Sequence, residues 1–313
     1  MSKPAADLLA QHAPDTRANR LEAERQRSQE FRERMMLRRV GKTVKPPKLP
    51  PLQKPIVDGS THLVIGDSHS HPDVPNHRYD WLGRYITDLQ PDVVIDTGDW
   101  WDMESLNTFD RPGSKSFEGR RYWLDIEAGI DAQERVAAQL ADYNRGRKKK
   151  CKPRLVRCLG NHEQRISRLL EDEPRWESMV GLHDLMSAEF DWEEHAFGET
   201  VLIDGIAYCH YFTSGVMGRP IGGIHPAASL LSKQYHPCVQ GHSHLFDYSE
   251  KTDARGEKIR SVIAGCYFGH DLAWAPPSVN RMYARGLLVL RNVKDGQFDH
   301  EWVSIDRIQA KYS

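Results

Sequence analysis

Five short segments rich in metal-binding side chains occur along this chain of 313 residues, and each one follows an apolar run. In sequence order they are Asp67-Ser68-His69, Gly98-Asp99-Trp100-Trp101-Asp102, Gly160-Asn161-His162-Glu163, His210 and Gly241-His242-Ser243-His244. Together they offer carboxylate, imidazole and amide oxygen donors. This mixture suits two hard-to-borderline divalent ions with a shared ligand better than it suits one structural zinc. The pattern predicts a two-metal hydrolase.

The apolar runs before these segments are short and rich in β-branched residues. They cover residues 62–65, 93–95, 155–159, 206–209 and 237–240. Runs of this kind that end near Gly or Asp are typical of strands that feed loops at one edge of a sheet. Because strand ends at one edge converge, we expect Asp67 and His242 to meet although they are far apart in sequence.

The order D-x-H, G-D-x-x-D, G-N-H-E, H, G-H-x-H resembles the calcineurin-like metallophosphoesterase superfamily over roughly residues 60–270. The resemblance implies an α/β fold of two packed mixed β-sheets flanked by helices, a four-layer αββα sandwich. It also implies two sets of metal ligands with one bridging residue, Asp99. The first set is Asp67, His69, Asp99 and His244, and the second is Asp99, Asn161, His210 and His242.

The same resemblance implies catalytic roles for His162 and Asp102. A water-derived nucleophile between the metals would attack phosphorus, His162 would protonate the leaving group, and Asp102 would orient the imidazole. Both roles suit the residue types, since imidazole titrates near neutral pH. The donors accept manganese, iron or zinc, and manganese is favoured. Any one Asp or His in a loop is commonly a solvated or capping group, but the ordered set argues against that interpretation.

Composition agrees with a soluble enzyme, because 39% of the residues are hydrophobic and 28% are charged. No apolar run approaches the ~18 residues of a membrane span, and the N-terminus lacks the apolar region of a signal peptide. We therefore expect a cytoplasmic protein without membrane contact. The five cysteines form no C-x-x-C pair, and we expect buried free thiols.

The near-neutral net charge hides an asymmetry. Residues 1–55 carry 13 Lys and Arg against 6 Asp and Glu, a net of +7, whereas the remainder carries 30 against 38, a net of −8. We predict a basic helical arm with a Pro-rich linker at 1–57 and a metallophosphoesterase domain at 58–313. Helix-prone residues 17–40 either contact DNA or RNA or form a solvated or partner-packed helix. The arginines concerned are Arg25, Arg27, Arg32, Arg34, Arg38 and Arg39.

Several basic residues lie near the motifs and are candidates for contacts with substrate. Residues 107–119 read as a loop and 120–147 as a long helix, and Lys115, Arg120 and Arg121 either meet a phosphate there or are solvated. Arg165 is expected in the first turn of a helix at 163–170. Arg219 lies in a glycine-rich loop at 213–223 that either closes over substrate or is a simple turn.

The sequence leaves the substrate less defined than the chemistry. Serine/threonine protein phosphatases carry an Arg directly after the second motif, where this chain has Met103. The overall pattern is similar to phage-encoded metallophosphoesterases, which are often grouped with DNA-repair nucleases. We expect a phosphodiesterase or nuclease acting on nucleic acid or nucleotides. The alternatives are a phosphomonoesterase and a catalytically silent binding module on the same fold. The oligomeric state is not predicted.

Overall fold

The computed structural model of the protein describes residues 59–111 and 113–313, together with Gln26, Gln29, Glu30 and Glu33. These four residues are helical. The rest of the basic arm, including the six arginines named above, and the Pro-rich linker lie outside the described residues. The domain boundary at residue 58 therefore stays a prediction.

Thirteen strands are present in the described part of the chain. They are β1 Ser60–Ile65, β2 Val93–Asp96, β3 Arg154–Cys158, β4 Trp192–His195, β5 Val201–Ile203, β6 Ile206–Cys209, β7 Thr213–Ser214, β8 Arg219–Pro220, β9 Cys238–Gln240, β10 Phe246–Thr252, β11 Lys258–Ala264, β12 Gly286–Lys294 and β13 Gln297–Ser304. The α-helices of the same part are α1 His77–Leu89, α2 Tyr122–Asn144, α3 Gln164–Asp172, α4 Pro226–Gln234, α5 Pro277–Asn280 and α6 Ile305–Tyr312.

The strands form two large mixed sheets and one small hairpin. The six-stranded sheet has the order β13-β12-β1-β2-β3-β4. Strands β1 to β4 run parallel, β12 pairs antiparallel with β1, and β13 pairs antiparallel with β12. The five-stranded sheet has the order β10-β11-β9-β6-β5, with a parallel centre of β11, β9 and β6. Strands β7 and β8 pair with each other.

The main core lies between the two sheets because one face of each carries buried apolar residues. Val64 and Ile95 of the first sheet and Tyr208 and Val239 of the second belong to one cluster of buried side chains. The neighbouring residue Ala207 instead faces the opposite side and packs with α4. This alternation is the period of two expected of strands. The result is two packed mixed sheets flanked by helices, as the sequence predicts.

The architecture brings the five motif segments to one place. Strands β1, β2 and β3 of the first sheet and β6 and β9 of the second each end directly before a motif. In sheets with parallel strands, ligands bind beyond the carboxyl ends of those strands. The loops are tied together there, since the backbone amides of Ser68 and His69 both donate to the Asp99 carbonyl, at 3.0 and 2.9 Å.

Other sequence predictions have mixed outcomes. The long helix expected at 120–147 is present as α2, and the apolar runs at 62–65, 93–95, 155–159, 206–209 and 237–240 correspond to β1, β2, β3, β6 and β9. The glycine-rich segment 213–223, expected as a loop, contains the β7–β8 hairpin. Helices α1, α4 and α6 and strands β4 and β5 are not anticipated by the sequence analysis. All five cysteines are free and buried, as expected.

Among the helices of the described residues, none is both long enough and apolar enough to cross a membrane.

Candidate metal centre

The loops that carry the predicted ligands have unusual backbone conformations. His69, Asp99, His242 and His244 have φ values of 45°, 55°, 68° and 58°. This left-handed region costs a non-glycine residue about 1–2 kcal/mol. Such strain concentrates at functional sites, where the surrounding structure holds it in place. Four of the seven predicted ligands therefore sit on sharply turned, strained backbone.

Two glycines allow the loops to approach each other closely. A Cβ on Gly160 would lie 2.1 Å from Asp99 Oδ1, and a Cβ on Gly241 would lie 2.4 Å from Asp67 Oδ1. Both distances are far below van der Waals contact. Any side chain at these two positions would push a predicted carboxylate ligand out of place.

The first cluster joins Asp67, His69 and His244. The Nε2 atoms of His69 and His244 face each other at 3.2 Å, and His244 Nε2 is 3.0 Å from Asp67 Oδ2. Two facing ring nitrogens share at most one proton between them. Asp67 Oδ2 and His69 Nδ1 are buried without a hydrogen-bond partner. A cation among these atoms would satisfy ligand atoms that the protein alone leaves unsatisfied.

The second cluster is arranged around His210 Nε2. This atom lies 2.9 Å from Asn161 Oδ1, 3.2 Å from His242 Nδ1 and 3.4 Å from Asp99 Oδ2. His210 Nδ1 is 3.0 Å from the Thr97 carbonyl, which can only accept, so the proton of the neutral ring is on Nδ1. The lone pair of Nε2 then faces oxygen lone pairs. That arrangement is repulsive without a cation, and it is the usual orientation of a metal-binding histidine.

The charge states of these residues also suit a cation. Burial lowers the pKa of His69 to about 4 and that of His210 to about 3, so both rings are neutral at pH 7. Burial alone would raise the pKa of Asp67, but His244 and the other nearby histidines hold it well below its usual range. Burial, together with the charges of Asp67 and Glu163, raises the pKa of Asp99. A cation beside Asp99 would relieve that repulsion.

The two buried His/Asp clusters are therefore able to bind metal ions. Their ligand atoms form the groups Asp67, His69, His244 and Asp99, His210, His242, each within 4.8 Å. Asn161 lies beside the second group through His210. Asp99 belongs to the second group by distance, so its predicted role as a bridge to the first stays a prediction.

His162 and Asp102 are in contact, as the predicted catalytic pair requires. His162 Nδ1 lies 3.3 Å from the Asp102 carboxylate and 2.5 Å from the Asp102 carbonyl oxygen. On the other side, Arg165 Nη2 lies 3.0 Å from His162 Nε2. Because a guanidinium can only donate, Nε2 accepts and the ring proton sits on Nδ1. Burial lowers the pKa of His162, although Asp102 opposes this effect.

Asp102 also approaches the first cluster. Its carboxylate lies 3.5 Å from His69 Nδ1, so His69, Asp102 and His162 form a third close group. Burial alone would raise the pKa of Asp102, but the nearby rings of His162 and His69 keep it well below its usual range. Asp102 is therefore ionised and placed between a predicted ligand and the predicted acid.

Glu163 is a structural member of the site whose role the sequence analysis misses. Its buried carboxylate accepts hydrogen bonds from the backbone amides of Gly160, Asp99 and Trp101, at 2.8, 3.0 and 3.0 Å. Burial raises the pKa of Glu163 to about 7. This one side chain fixes the second motif loop against the third. Its place in the G-N-H-E motif is the available signal.

Arg157 packs against Trp100 and Trp101 of the second motif loop. Its guanidinium is fully buried, pairs with Asp96 at 2.6 Å and lies 4.6, 4.9 and 4.4 Å from the ring centres of Trp100, Trp101 and Trp192. Cation–π contacts of this kind stabilise a desolvated arginine. A charged residue inside an apolar strand is the sequence signal for an internal role.

The five predicted substrate-binding residues have different surroundings. Arg165 reaches the site, where Nη1 donates to the carbonyls of Asp102 and Met103 at 2.8 and 3.1 Å. Arg120 pairs with Glu104 and Asp110, and Arg121 donates to the Arg120 carbonyl at 2.8 Å. Two more lie nearer the surface, in a 3₁₀ turn and in β8. They are Lys115 and Arg219. Contact of any of these residues with substrate stays a prediction.

No protein-family model and no curated protein matches this chain. Solved structures with a detectable likeness to it include those of two bacterial proteins. One is a conserved protein from Streptococcus pneumoniae described as a predicted phosphoesterase, with 13% identity over 79% of this chain and 90% of that one and a TM-score of 0.31. The other is a protein from Thermus thermophilus, with 10% identity, coverage of 78% and 99%, and a TM-score of 0.27.

Proposed function

We propose that the protein is a two-metal phosphoesterase of the calcineurin-like metallophosphoesterase superfamily, and that it acts on phosphodiesters in nucleic acid or nucleotides. The observation that carries this proposal is the convergence of bare metal-ligating atoms around His210 Nε2, beside a second cluster at Asp67, His69 and His244. The order of the motifs and the two-sheet fold support the same superfamily.

The residues of the site would have separate roles in the reaction. Two divalent ions in these clusters would neutralise charge on the phosphoryl oxygens and activate water. His162 lies next to both clusters and is oriented by Asp102, so after its ring takes up a proton from water at Nε2 it would pass that proton to the leaving oxygen. Since Arg165 now donates to that atom, this step requires the guanidinium to turn away. Arg165 would then be available to a phosphoryl oxygen.

The preference for a diester rests on two observations. Met103 takes the position of the protein-phosphatase Arg, which removes one clamp for a doubly charged phosphoryl group. The arm at residues 1–55 carries a net charge of +7, which suits a polyanion that continues beyond the reacting phosphate. Hydrolysis of phosphomonoesters is the alternative that a direct assay distinguishes.

The test combines metal analysis with an activity assay in manganese. The wild-type protein is expected to hold two divalent ions and to hydrolyse bis(p-nitrophenyl) phosphate faster than p-nitrophenyl phosphate. Asp99→Asn should lose most of the bound metal and ~10²-fold or more in activity, because it removes a charged ligand. Asp306→Asn, at an exposed position of α6, serves as the matched control and should retain both its metal content and its activity.

Three results would contradict the proposal. Full metal content and full activity in Asp99→Asn would remove Asp99 from the site. A wild-type protein that binds metal but hydrolyses neither ester would support the binding module instead, and one that strongly prefers the monoester would support a phosphatase.

A further inference from the structure

A strongly basic loop joins helix α2 to strand β3. Six of the nine residues 145–153 are Lys or Arg, and none is Asp or Glu. Residues 56–313 as a whole carry 30 Lys and Arg against 38 Asp and Glu, so this short basic loop concentrates positive charge in an acidic part of the chain. The proposed chemistry at the metal clusters does not explain that concentration.

The basic loop is anchored at both ends. Asn144 Nδ2 donates to the Cys151 carbonyl at 2.8 Å, and the Cys151 amide donates to Asn144 Oδ1 at 2.7 Å. Cys151 is 3% exposed, and the Arg154 amide donates to the Asp92 carbonyl at 2.9 Å. The loop therefore presents its cations from a defined place on the fold.

The cations of the basic loop are exposed, and several have no acidic partner. Arg145 pairs with Asp142 at 3.1 Å, but both side chains are more than 70% exposed, and such a pair is worth little. Lys148, Lys149 and Lys152 form no ion pair with the other described residues. The exposed cations are Arg145, Arg147, Lys148, Lys149, Lys150 and Lys152.

The C-terminus of α2 accounts for one of these cations. Lys150 Nζ donates to the carbonyl of Asn144, the last residue of the helix, where a cation also complements the helix dipole. The dipole effect falls off within the last turn, so it does not account for Lys148, Lys149 and Lys152. Repulsion among uncompensated like charges has a cost in free energy, which a bound polyanion would relieve.

The basic loop is far from the candidate metal centre. Near the start of α2, Asp125 accepts a hydrogen bond from the amide of Ser105, three residues beyond Asp102. Asn144 lies 19 residues further on, roughly 28 Å along the helix axis. The loop also precedes β3, whereas the third motif follows β3. A duplex that reaches both places must span about eight base pairs, at about 3.4 Å per step.

The chemistry of the basic loop favours nucleic acid over a membrane. Its apolar residues are the buried Cys151 and the half-buried Pro153, whereas membrane-binding surfaces commonly combine cations with apolar side chains that insert. A basic patch without such side chains is typical of contacts with phosphates of a nucleic acid backbone.

We propose that the basic loop is a second contact site for nucleic acid, which binds phosphates of a long substrate roughly 28 Å from the phosphate being hydrolysed. The inference rests on the proposed phosphodiesterase function and narrows its substrate to nucleic acid long enough to reach both places. It assigns a role to a segment that none of the five sequence motifs includes.

Removal of three charges tests the site by binding. Lys148→Gln, Lys149→Gln and Lys152→Gln are combined in one full-length loop variant. Its affinity for a DNA duplex of about 30 base pairs should fall ~10-fold or more at about 0.1 M salt. The salt dependence should flatten by about 0.9 for each lost phosphate contact. Fluorescence anisotropy at several salt concentrations measures both quantities.

A matched control separates the loop from net charge. Lys233→Gln, Lys251→Gln and Lys294→Gln remove the same charge from exposed positions on α4, β10 and β12. This control variant should bind the duplex within about threefold of the wild-type protein, because its lysines are dispersed. Equal weakening in the two variants, or unchanged binding in the loop variant, would overturn the proposal.

Kinetics connect the basic loop to the reaction. In manganese, the loop variant should raise KM for the long duplex ~10-fold at unchanged kcat, because it loses binding remote from the reacting phosphate. Hydrolysis of bis(p-nitrophenyl) phosphate should stay within about twofold, since that ester is too short to reach the loop. A loop variant that keeps its affinity for DNA but no longer binds phosphatidylserine vesicles would overturn the proposal in favour of a membrane. Binding of DNA that depends on the loop, in a wild-type protein that hydrolyses neither ester, would support the second contact site while refuting the proposed function.

Discussion

At the scale of single residues, the contact between Arg165 and His162 determines how the proposed acid would work. The guanidinium donates to the ring nitrogen that would have to carry the proton, and it is anchored at the same time to two backbone carbonyls. His162 is thus held in one tautomer and one orientation while substrate is absent. A phosphoryl oxygen is a stronger acceptor for Arg165 than a neutral imidazole, since it is charged. Substrate would therefore compete for the guanidinium and release Nε2.

Replacing His162 by Asn separates proton donation from metal binding. We expect His162→Asn to keep both ions, because His162 is not among the predicted ligands. Turnover of a dinucleoside phosphate, which has a poor leaving group, should fall ~10²-fold or more. With p-nitrophenolate as leaving group the loss should be much smaller. His236→Asn, at an exposed position, is the control. Equal losses on the two substrates would contradict the role of general acid.

The residue scale also shows what the sequence could predict. The seven predicted ligands come together because each follows a strand, and a motif read in order captures that arrangement. Glu163 works differently, since its role depends on which backbone groups surround it. Its carboxylate accepts hydrogen bonds from three amides of two loops. No local pattern in the sequence encodes those neighbours.

At the scale of elements, helix α2 contains a buried acid that affects stability. Asp125 lies in the first turn of α2, is 2% exposed and accepts a hydrogen bond from the Ser105 amide at 2.9 Å. Burial raises the pKa of Asp125 from its ordinary 3.8 to about 6, although the bonds from Ser105 oppose this. The folded protein therefore binds a proton more tightly than the unfolded chain. The favourable contribution is complete below pH 3.8 and is lost as the pH rises through about 6.

Asp125→Asn should therefore stabilise the metal-free protein at pH 7. The difference in pKa corresponds to about 3 kcal/mol, and the Asn oxygen can still accept from Ser105. Urea unfolding at pH 4 and pH 7 measures the effect, and the variant should gain little at pH 4. Asp142→Asn, whose side chain is 72% exposed on the same helix, is the control and should change stability little at either pH. An equal gain at both pH values would show that the carboxyl does not titrate as inferred.

The elements that the sequence analysis misses have weak local patterns. Helix α1 contains Gly83 and many polar residues, so its helix propensity is poor, yet Tyr79, Leu82 and Ile86 recur at helical spacing and are buried. Strand β4 has the sequence Trp-Glu-Glu-His and becomes a strand by pairing in parallel with β3. Tertiary contacts determine the secondary structure of such segments. The strands that feed the site were predictable because they are apolar, short and followed by glycine or acidic residues.

At the scale of the whole chain, charge is divided between the arm and the remainder. Residues 1–55 carry a net charge of +7 and the rest a net charge of −8, so residues 1–55 offer the larger net attraction for a polyanion. Binding that releases counterions weakens as salt is added. On duplex DNA the logarithm of the binding constant falls with the logarithm of the salt concentration, with a slope of about −0.9 for each phosphate neutralised. If the arm contacts nucleic acid, the affinity for nucleic acid will depend more steeply on salt concentration when the arm is present.

Deletion of residues 1–55 should weaken binding of DNA and flatten its salt dependence, while hydrolysis of bis(p-nitrophenyl) phosphate stays within about twofold. Fluorescence anisotropy at several salt concentrations measures the slope, since each lost phosphate contact removes a fixed increment. A full-length chain with six arginines changed to glutamine is the matched control for length, and it should behave like the deletion. The arginines are Arg25, Arg27, Arg32, Arg34, Arg38 and Arg39. An unchanged slope in both proteins would assign DNA contact to residues 56–313.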